Sequence, residues 1–265
     1  MTADRDVAVE TLSIPSLGCP AAPRPVYPPN RAEFLRLLFH SLDGQGVRYC
    51  VLHSYQDLPE SIHGDLDLAV HPDDLSRIAH IFESLRSQGC RPIQFLNYAV
   101  RGFYFVFLWF EEHRLQSLTI DVIVEHRRGG LILASGEHLV SRRRKQGDFW
   151  IPDPAVEFAY LLCKKSLKGA VPAHQEQRLR RLVAELGRKQ AVHIAAGLVR
   201  KRHAEDLVGA CAEGSLAGSI GIWKRRICFT ALKDHPFTPV RYFSADLFRI
   251  LRRWFVPTGL FLVVL

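Results

Sequence analysis

The run "LTIDVIVE", residues 118–125, sets a single aspartate, Asp121, among apolar and β-branched residues. Valine, isoleucine and threonine at this density read as a strand destined for burial. An isolated carboxylate inside such a strand costs several kcal/mol, so any fold of this chain has to bring Asp121 a partner. In "HGDLDLAV", residues 63–70, Asp65 and Asp67 stand one residue apart at the mouth of a second apolar run. Side chains two positions apart on a strand share a face. Asp65 and Asp67 are therefore expected to project together, with Leu66 and Leu68 turned to the core. If the two strands are neighbours, three carboxylates converge on a hard-oxygen site suited to Mg²⁺, which binds carboxylates together with phosphate oxygens. Two such ions would activate an attacking hydroxyl and stabilise departing pyrophosphate. The plainer alternative is an Asx-type turn at "HGD", with Asp121 paired to an arginine.

The flanking elements fit a sheet with helices packed on it. Asn30 is placed to cap a helix over "RAEFLRLLFHSLDGQG", where Phe34, Leu37, Leu38 and Leu42 recur at helical spacing. "VRYCVLH" and "DLDLAV" follow as short strands. Pro72 then opens a helix with Leu75, Ile78, Ile81, Phe82 and Leu85 on one stripe, stopped by Gly89. Three more strands follow, "CRPIQFLN", "GFYFVFLWF" and "LQSLTIDVIVE", the last two joined by an "EEHR" hairpin turn with His113 at the surface. Trp109, Phe110 and the neighbouring aromatics read as core. Helix, strand, strand, helix and meander predict an α/β (α+β) fold with a mixed sheet. Beyond Pro154 helical patterns dominate, so the expected organisation is a leader over 1–29, a sheet domain over 30–150, a helical domain over 151–253 and an orphan apolar strand over 254–265.

At 265 residues, 48% of them hydrophobic, the chain can build a sizeable core. Its net charge of +8 suits an anionic partner, but the basic residues are scattered, and nucleic acid is not the leading expectation. Cys19, Cys50, Cys90, Cys163, Cys211 and Cys228 form no CxxC pair and no zinc-like spacing. Cys50, Cys90 and Cys163 lie in apolar segments and read as small core residues, which suits a reducing cytoplasm. The first 29 residues have early acidic residues and no continuous apolar stretch, unlike a signal peptide; their prolines suit a flexible leader.

A serine, ten residues, an Asp-x-Asp and a third aspartate on a later strand form a recognisable order. "HS" (His53, Ser54), "DLD" (Asp65, Asp67) and "TIDVIV" (Asp121) resemble the nucleotidyltransferase superfamily, the polymerase-β-like fold, over residues 31–125 and at most to 170. The resemblance implies a nucleoside triphosphate substrate, Mg²⁺ on Asp65, Asp67 and Asp121, deprotonation of an acceptor hydroxyl by Asp121, and phosphates held by Ser54. One position departs from the pattern: a glycine is expected where His53 stands. Glycine there frees the backbone to adopt unusual angles close to phosphate; histidine either blocks that cradle or adds a donor.

In "PAVEFAYLLCKKSLKG", Ala155, Phe158, Ala159, Leu161 and Leu162 form one helical face. Lys165 falls on it, and is expected either to reach a triphosphate or to snorkel between domains. Lys164 and Lys168 read as solvated. Arg142 to Lys145 form a basic cluster, expected to be an exposed loop. The closing "PTGLFLVVL" resembles the first strand of a thymidylate-kinase-like P-loop domain, of the type that follows some bacterial nucleotidyltransferase-like domains. No GxxxxGK[ST] occurs, so the expectation is a longer protein cut short, without kinase activity of its own. Arg249, Arg252, Arg253, Trp254 and Phe255 offer the alternative of a basic amphipathic membrane-surface tail. Three function classes stand: a Mg-dependent transferase acting on an unidentified hydroxyl acceptor, a non-catalytic nucleotide-binding module serving a P-loop kinase, and an RNA-directed transferase.

Overall fold

The structure, a computed structural model, describes residues 30–234 apart from 63, 100, 101, 112, 113, 129 and 130, together with 247 and 251. The leader, His113, the apolar terminus and the basic tail considered above lie outside the described residues. Chain order runs α1 (Arg31–Gly44), β1 (Tyr49–Val51), β2 (Leu66–Val70), α2 (Leu75–Ser84), β3 (Arg91–Ala99), β4 (Gly102–Glu111) and β5 (Arg114–Ile123). It continues with β6 (Glu125–Arg128), β7 (Leu131–Ser135), α3 (Gly136–Ser141), β8 (Arg144–Gln146) and β9 (Phe149–Ile151). Five helices follow: α4 (Pro154–Lys168), α5 (Ala173–Leu186), α6 (Arg188–Leu198), α7 (Lys201–Glu213) and α8 (Leu216–Asp234).

The local chemistry behind these elements is visible at their ends. Asn30, in extended conformation, accepts the Glu33 N–H and starts α1. α2 is flanked by 3₁₀ turns over Pro72–Asp74 and Leu85–Gln88, and Gly89 ends the second with φ 84°. Asp153 accepts the Ala155 N–H, and Pro154 occupies the first turn of α4.

The main sheet has strand order β1-β2-β5-β4-β3. β1 pairs with β2, β4 with β5 and β3 with β4, all antiparallel, whereas β2 and β5 run parallel. The sheet is therefore mixed, followed by helices. Its two faces are sorted by the period-two alternation of the strands. Leu66, Leu68, Val70, Ile120 and Val122 join Phe105, Phe107 and Trp109 in one cluster, covered by α1 (Phe34, Leu35, Leu38, Phe39) and α2 (Ile78, Ile81, Phe82). Cys50, Leu52, Ala69 and Ile123 face the other way, into a cluster with Leu139, Phe158, Leu161, Leu179, Leu207 and Trp223 from α3, α4, α5, α7 and α8. Cys50, Cys90, Cys163 and Cys211 are all buried.

Two expectations are corrected here. Trp109 is core, but Phe110 is exposed, as is its cross-strand partner Leu115. Phe110 follows Trp109, so it must point to the opposite face. The Arg142–Lys145 cluster is also not a plain solvated loop. Arg143 donates to the carbonyls of Val47 (3.2 Å) and Tyr49 (3.1 Å), Arg144 pairs with Glu185, and Lys145 pairs with Asp43. These cations tie the β8–β9 hairpin and the residue before it to the start of the sheet, to α5 and to α1.

Gly136 shows how tightly the first strands are joined to α3. A Cβ added there would stand 2.3 Å from the Val70 carbonyl oxygen and 2.6 Å from that of Val124. Backbone atoms cannot move aside as a flexible side chain can, so Gly136→Ala should destabilise the fold by about 1–3 kcal/mol. Gly218→Ala, in α8 where nothing lies within 4 Å, should be neutral or stabilising. Urea denaturation of both variants checks the contrast.

Candidate active site

The parallel pairing of β2 with β5 sets Asp67 directly opposite Asp121. Register partners on adjacent strands point to the same face. For both residues that face is the one shared with Ala69 and Ile123, toward α4. Like charges opposite one another destabilise a sheet unless a counter-charge intervenes. Asp65 lies one residue before β2 and is exposed. Among the described residues no group of three or more His, Cys, Asp or Glu side chains stands close enough to hold a metal ion. The structure thus brings two of the three expected carboxylates side by side, with the third at the entrance of the strand.

The counter-charge at Asp67 comes from the protein. His53 Nε2 lies 2.5 Å from Asp67 Oδ2, and Lys164 Nζ lies 3.3 Å from the same oxygen. All three side chains are only 14–15% exposed. Lys164 Nζ also stands 2.7 Å from His53 Nε2, and His53 Nδ1 is 3.0 Å from Ser54 Oγ. The two contacts at Nε2 compete. A neutral ring donating Nε2–H to Asp67 accepts the Ser54 hydroxyl at Nδ1, whereas one accepting from Lys164 donates Nδ1–H to Ser54. Either way a chain of polar contacts runs from Ser54 to Asp67. Burial alone would raise the Asp67 pKa; the His53 hydrogen bond and the Lys164 charge outweigh it and hold the carboxyl far below the usual range. Burial lowers the His53 pKa, Asp67 opposes that, and Lys164 and Lys165 add to it.

The lysine in contact with the acidic pair is thus Lys164, which the sequence reading placed in solvent. Lys165 is buried, 4% exposed, and no ion pair or hydrogen bond is made by its ammonium among the described residues. Phe158, Leu161 and Leu162 are core and Lys165 is buried with them, but Ala155 and Ala159 are only half-buried, and Val156, Tyr160, Cys163 and Leu167 on the other side of α4 are buried as well. What the stripe could not show is that β2 lies against the flank of α4, where Lys164 projects.

Ser54 holds φ 58°, the left-handed region, and among the described residues no other non-glycine does. Such a conformation costs on the order of 1–3 kcal/mol and tends to occur at binding sites. The positive φ falls on the serine, so His53 fills the expected glycine position without a left-handed backbone.

A network missed from sequence borders this corner. Glu157 on α4 is fully buried; it accepts the Tyr55 hydroxyl (2.7 Å) and the Arg178 Nε–H (2.8 Å), and Arg178 also donates to Tyr55 (2.7 Å). A buried pair of this kind is costly to break from one side, so it fixes the turn after β1 against α4 and α5. A cavity of about 450 Å³ opens beside it, lined by His53, Ser54, Leu161, Gln175, Arg178 and Arg181 among others. Glu157 falls within an apolar helical face, a signal of the same kind that drew attention to Asp121.

No family model matches the chain, and no curated relative matches it. Among solved structures it is similar to the antibiotic-resistance factor ANT(2'')-Ia, at 13% identity and TM-score 0.40, over 65% of this chain and 92% of that one. It is similar to JHP933 from Helicobacter pylori, at 12% identity and TM-score 0.42, over 83% and 97%. It is also similar to a candidate nucleotidyltransferase from H. pylori, at 13% identity and TM-score 0.40, over 77% and 96%. Likeness at this level assigns no activity to the chain.

Burial lowers the Lys165 pKa, helped by Lys164 and Lys168 and opposed by Asp67, from 10.5 to about 8. The unfolded chain then binds more protons than the folded one between those values, so stability rises with pH across that window. Lys165→Met should stabilise the protein at pH 7 by up to about 3 kcal/mol, and the gain should fade as pH climbs from 8 to 10.5. Urea denaturation at pH 7 and pH 10 checks it.

Proposed function

We propose that the chain is a nucleotidyltransferase that moves a nucleotidyl group from a nucleoside triphosphate to a hydroxyl group. The observation that carries this reading is the register pairing of Asp67 with Asp121 on parallel neighbours, on the sheet face that α4 approaches. The left-handed Ser54 beside it and the cations Lys164 and Lys165 on α4 support the same reading.

Mg²⁺ binding fits the donor chemistry, because this ion rests on one or two protein carboxylates and takes its remaining ligands from phosphates and water. Asp67 and Asp121 would hold it, and Asp65 at the strand entrance would have to turn inward to add a third oxygen. When bound, Mg²⁺ offsets the paired carboxylates and polarises the phosphoryl group under attack.

The chain's own residues carry the remaining roles. Asp121 accepts the acceptor's hydroxyl proton as that oxygen forms its bond to the α-phosphorus. The bond from the α-phosphorus to the bridging oxygen breaks, and pyrophosphate leaves with the electron pair. Lys164 and Lys165 neutralise its charge. Ser54 orients the phosphates through its hydroxyl and through the backbone of its left-handed turn. Lys165 is thereby destabilising to the fold and useful to the site, an exchange common where binding requires a buried charge.

A second reading, a nucleotide-binding module without transfer, is favoured by one observation: His53 and Lys164 both engage Asp67. The two readings diverge in a single experiment. Under transfer, the protein incubated with Mg²⁺, nucleoside triphosphates and a panel of hydroxyl compounds releases pyrophosphate. Asp67→Asn and Asp121→Asn should each lower that rate at least 100-fold, and Lys164→Met should weaken triphosphate binding about tenfold. Nucleotide binding without pyrophosphate release in any combination would establish the second reading; binding unaltered by all three substitutions would reject both.

A further inference from the structure

Away from the acidic pair, Arg200 between α6 and α7, the first turn of α7 and the middle of α8 line an open pocket of about 370 Å³. Arg200, Arg202, Arg225 and Arg226 line it together with His203 and Phe229, and no carboxylate does. None of the four arginines makes an ion pair among the described residues. Several other arginines of this chain do find acids: Arg48 with Asp74, Arg144 with Glu185, Arg178 with Glu157 and Arg188 with Glu205. Four guanidinium groups around one concavity repel each other, and their field is felt inside it. His203, next to Arg202 (Nε to Nε2 3.1 Å), has its pKa lowered first by desolvation and then by Arg226, Arg202 and Arg200, with Asp206 opposing.

The aromatic residues narrow the ligand further. Arg200 lies over the Phe229 ring, its guanidinium carbon 5.0 Å from the centroid, and Arg226 lies over Trp223 at 4.8 Å. Trp223 is buried and holds Arg226 in place, while Phe229 remains 56% exposed at the pocket. Guanidinium groups recognise phosphate oxygens through paired N–H donors, and the two rings orient Arg200 and Arg226. An exposed ring beside them offers a stacking surface to a planar base. A lone phosphate would use the cations and leave Phe229 idle, and a lipid headgroup carries no aromatic plane.

We infer that this pocket binds single-stranded nucleic acid, with backbone phosphates held by Arg200, Arg202, Arg225 and Arg226 and a base stacked on Phe229. The site is separate from the acidic pair and does not depend on its chemistry.

The test uses the full chain and a fluorescein-labelled single-stranded RNA 12-mer, followed by anisotropy at several salt concentrations. Four phosphate contacts give a slope of log K against log salt of about −2.8. Arg225→Ala with Arg226→Ala should reduce that slope by about 1.4. Phe229→Ala should weaken binding roughly tenfold with the slope unchanged, since stacking involves no ion release. Arg77→Ala with Arg86→Ala removes the same charge from α2 and the 3₁₀ turn after it and should leave binding within twofold. Circular dichroism of each variant confirms the fold, which exposed positions should preserve. Phosphatidylserine vesicles in a sedimentation arm should not bind through Arg225 and Arg226. The inference is overturned if the RNA does not bind, if the α2 control weakens binding as much as the pocket variant, or if vesicles rather than RNA respond to the pocket substitutions. An unchanged affinity for Phe229→Ala overturns it as well, leaving only a phosphate-attracting surface.

Discussion

Two carboxylates standing opposite each other on adjacent parallel strands are the constraint around which the rest of the site is arranged. Asp67 and Asp121 cannot both be ionised next to each other at low exposure without positive charge or donated hydrogens nearby. The chain supplies them to Asp67 through His53, at the end of the segment leaving β1, and Lys164, on α4. Three separate pieces of chain are tied to one oxygen. The sheet brings the acids, the turn after β1 brings the ring, and α4 brings the ammonium.

That arrangement depends on packing set some distance away. Alternation along β2 and β5 sends Leu66, Leu68, Ile120 and Val122 to the α1–α2 side, which leaves Asp67 and Asp121 no other direction but toward α4. α4 is seated against the turn by the Tyr55–Glu157–Arg178 network. Glu157 and Lys164 lie seven residues apart on this helix, about two turns. The buried pair near one end of α4 therefore sets where the ammonium near the other end falls.

Much of the fold was legible because it rests on local periodicity. The Asn30 cap, the Gly89 stop, the "EEHR" hairpin and the helical run after Pro154 all follow from spacing and from residues with restricted backbone chemistry. The cost of burying Asp121 pointed only to a partner; that Asp67 stands opposite it depended on β2 and β5 being neighbours, which the sheet register supplies. What escaped the sequence was which side of a helix meets which strand. Lys164 and Lys165 are neighbours in sequence and about 100° apart on the helix; only the docking of α4 against β2 decides which one meets Asp67. Phe110 was misplaced for a related reason: a continuous apolar run hides the alternation that turns Phe110 away from Trp109 on β4. The positive φ of Ser54 had no signal, since no glycine or asparagine marks it.

The account turns on whether a divalent ion and a nucleotide meet at the Asp67–Asp121 pair. Crystals grown with Mn²⁺ and a non-hydrolysable nucleoside triphosphate analogue, measured at the manganese absorption edge, answer this by anomalous scattering. The expected map has a manganese peak bridging the two carboxylates and the analogue's phosphates, with Lys164 moved from Asp67 onto the phosphates. A map with the analogue bound elsewhere, or with Lys164 and His53 still closed over Asp67 and no manganese beside it, would contradict the account.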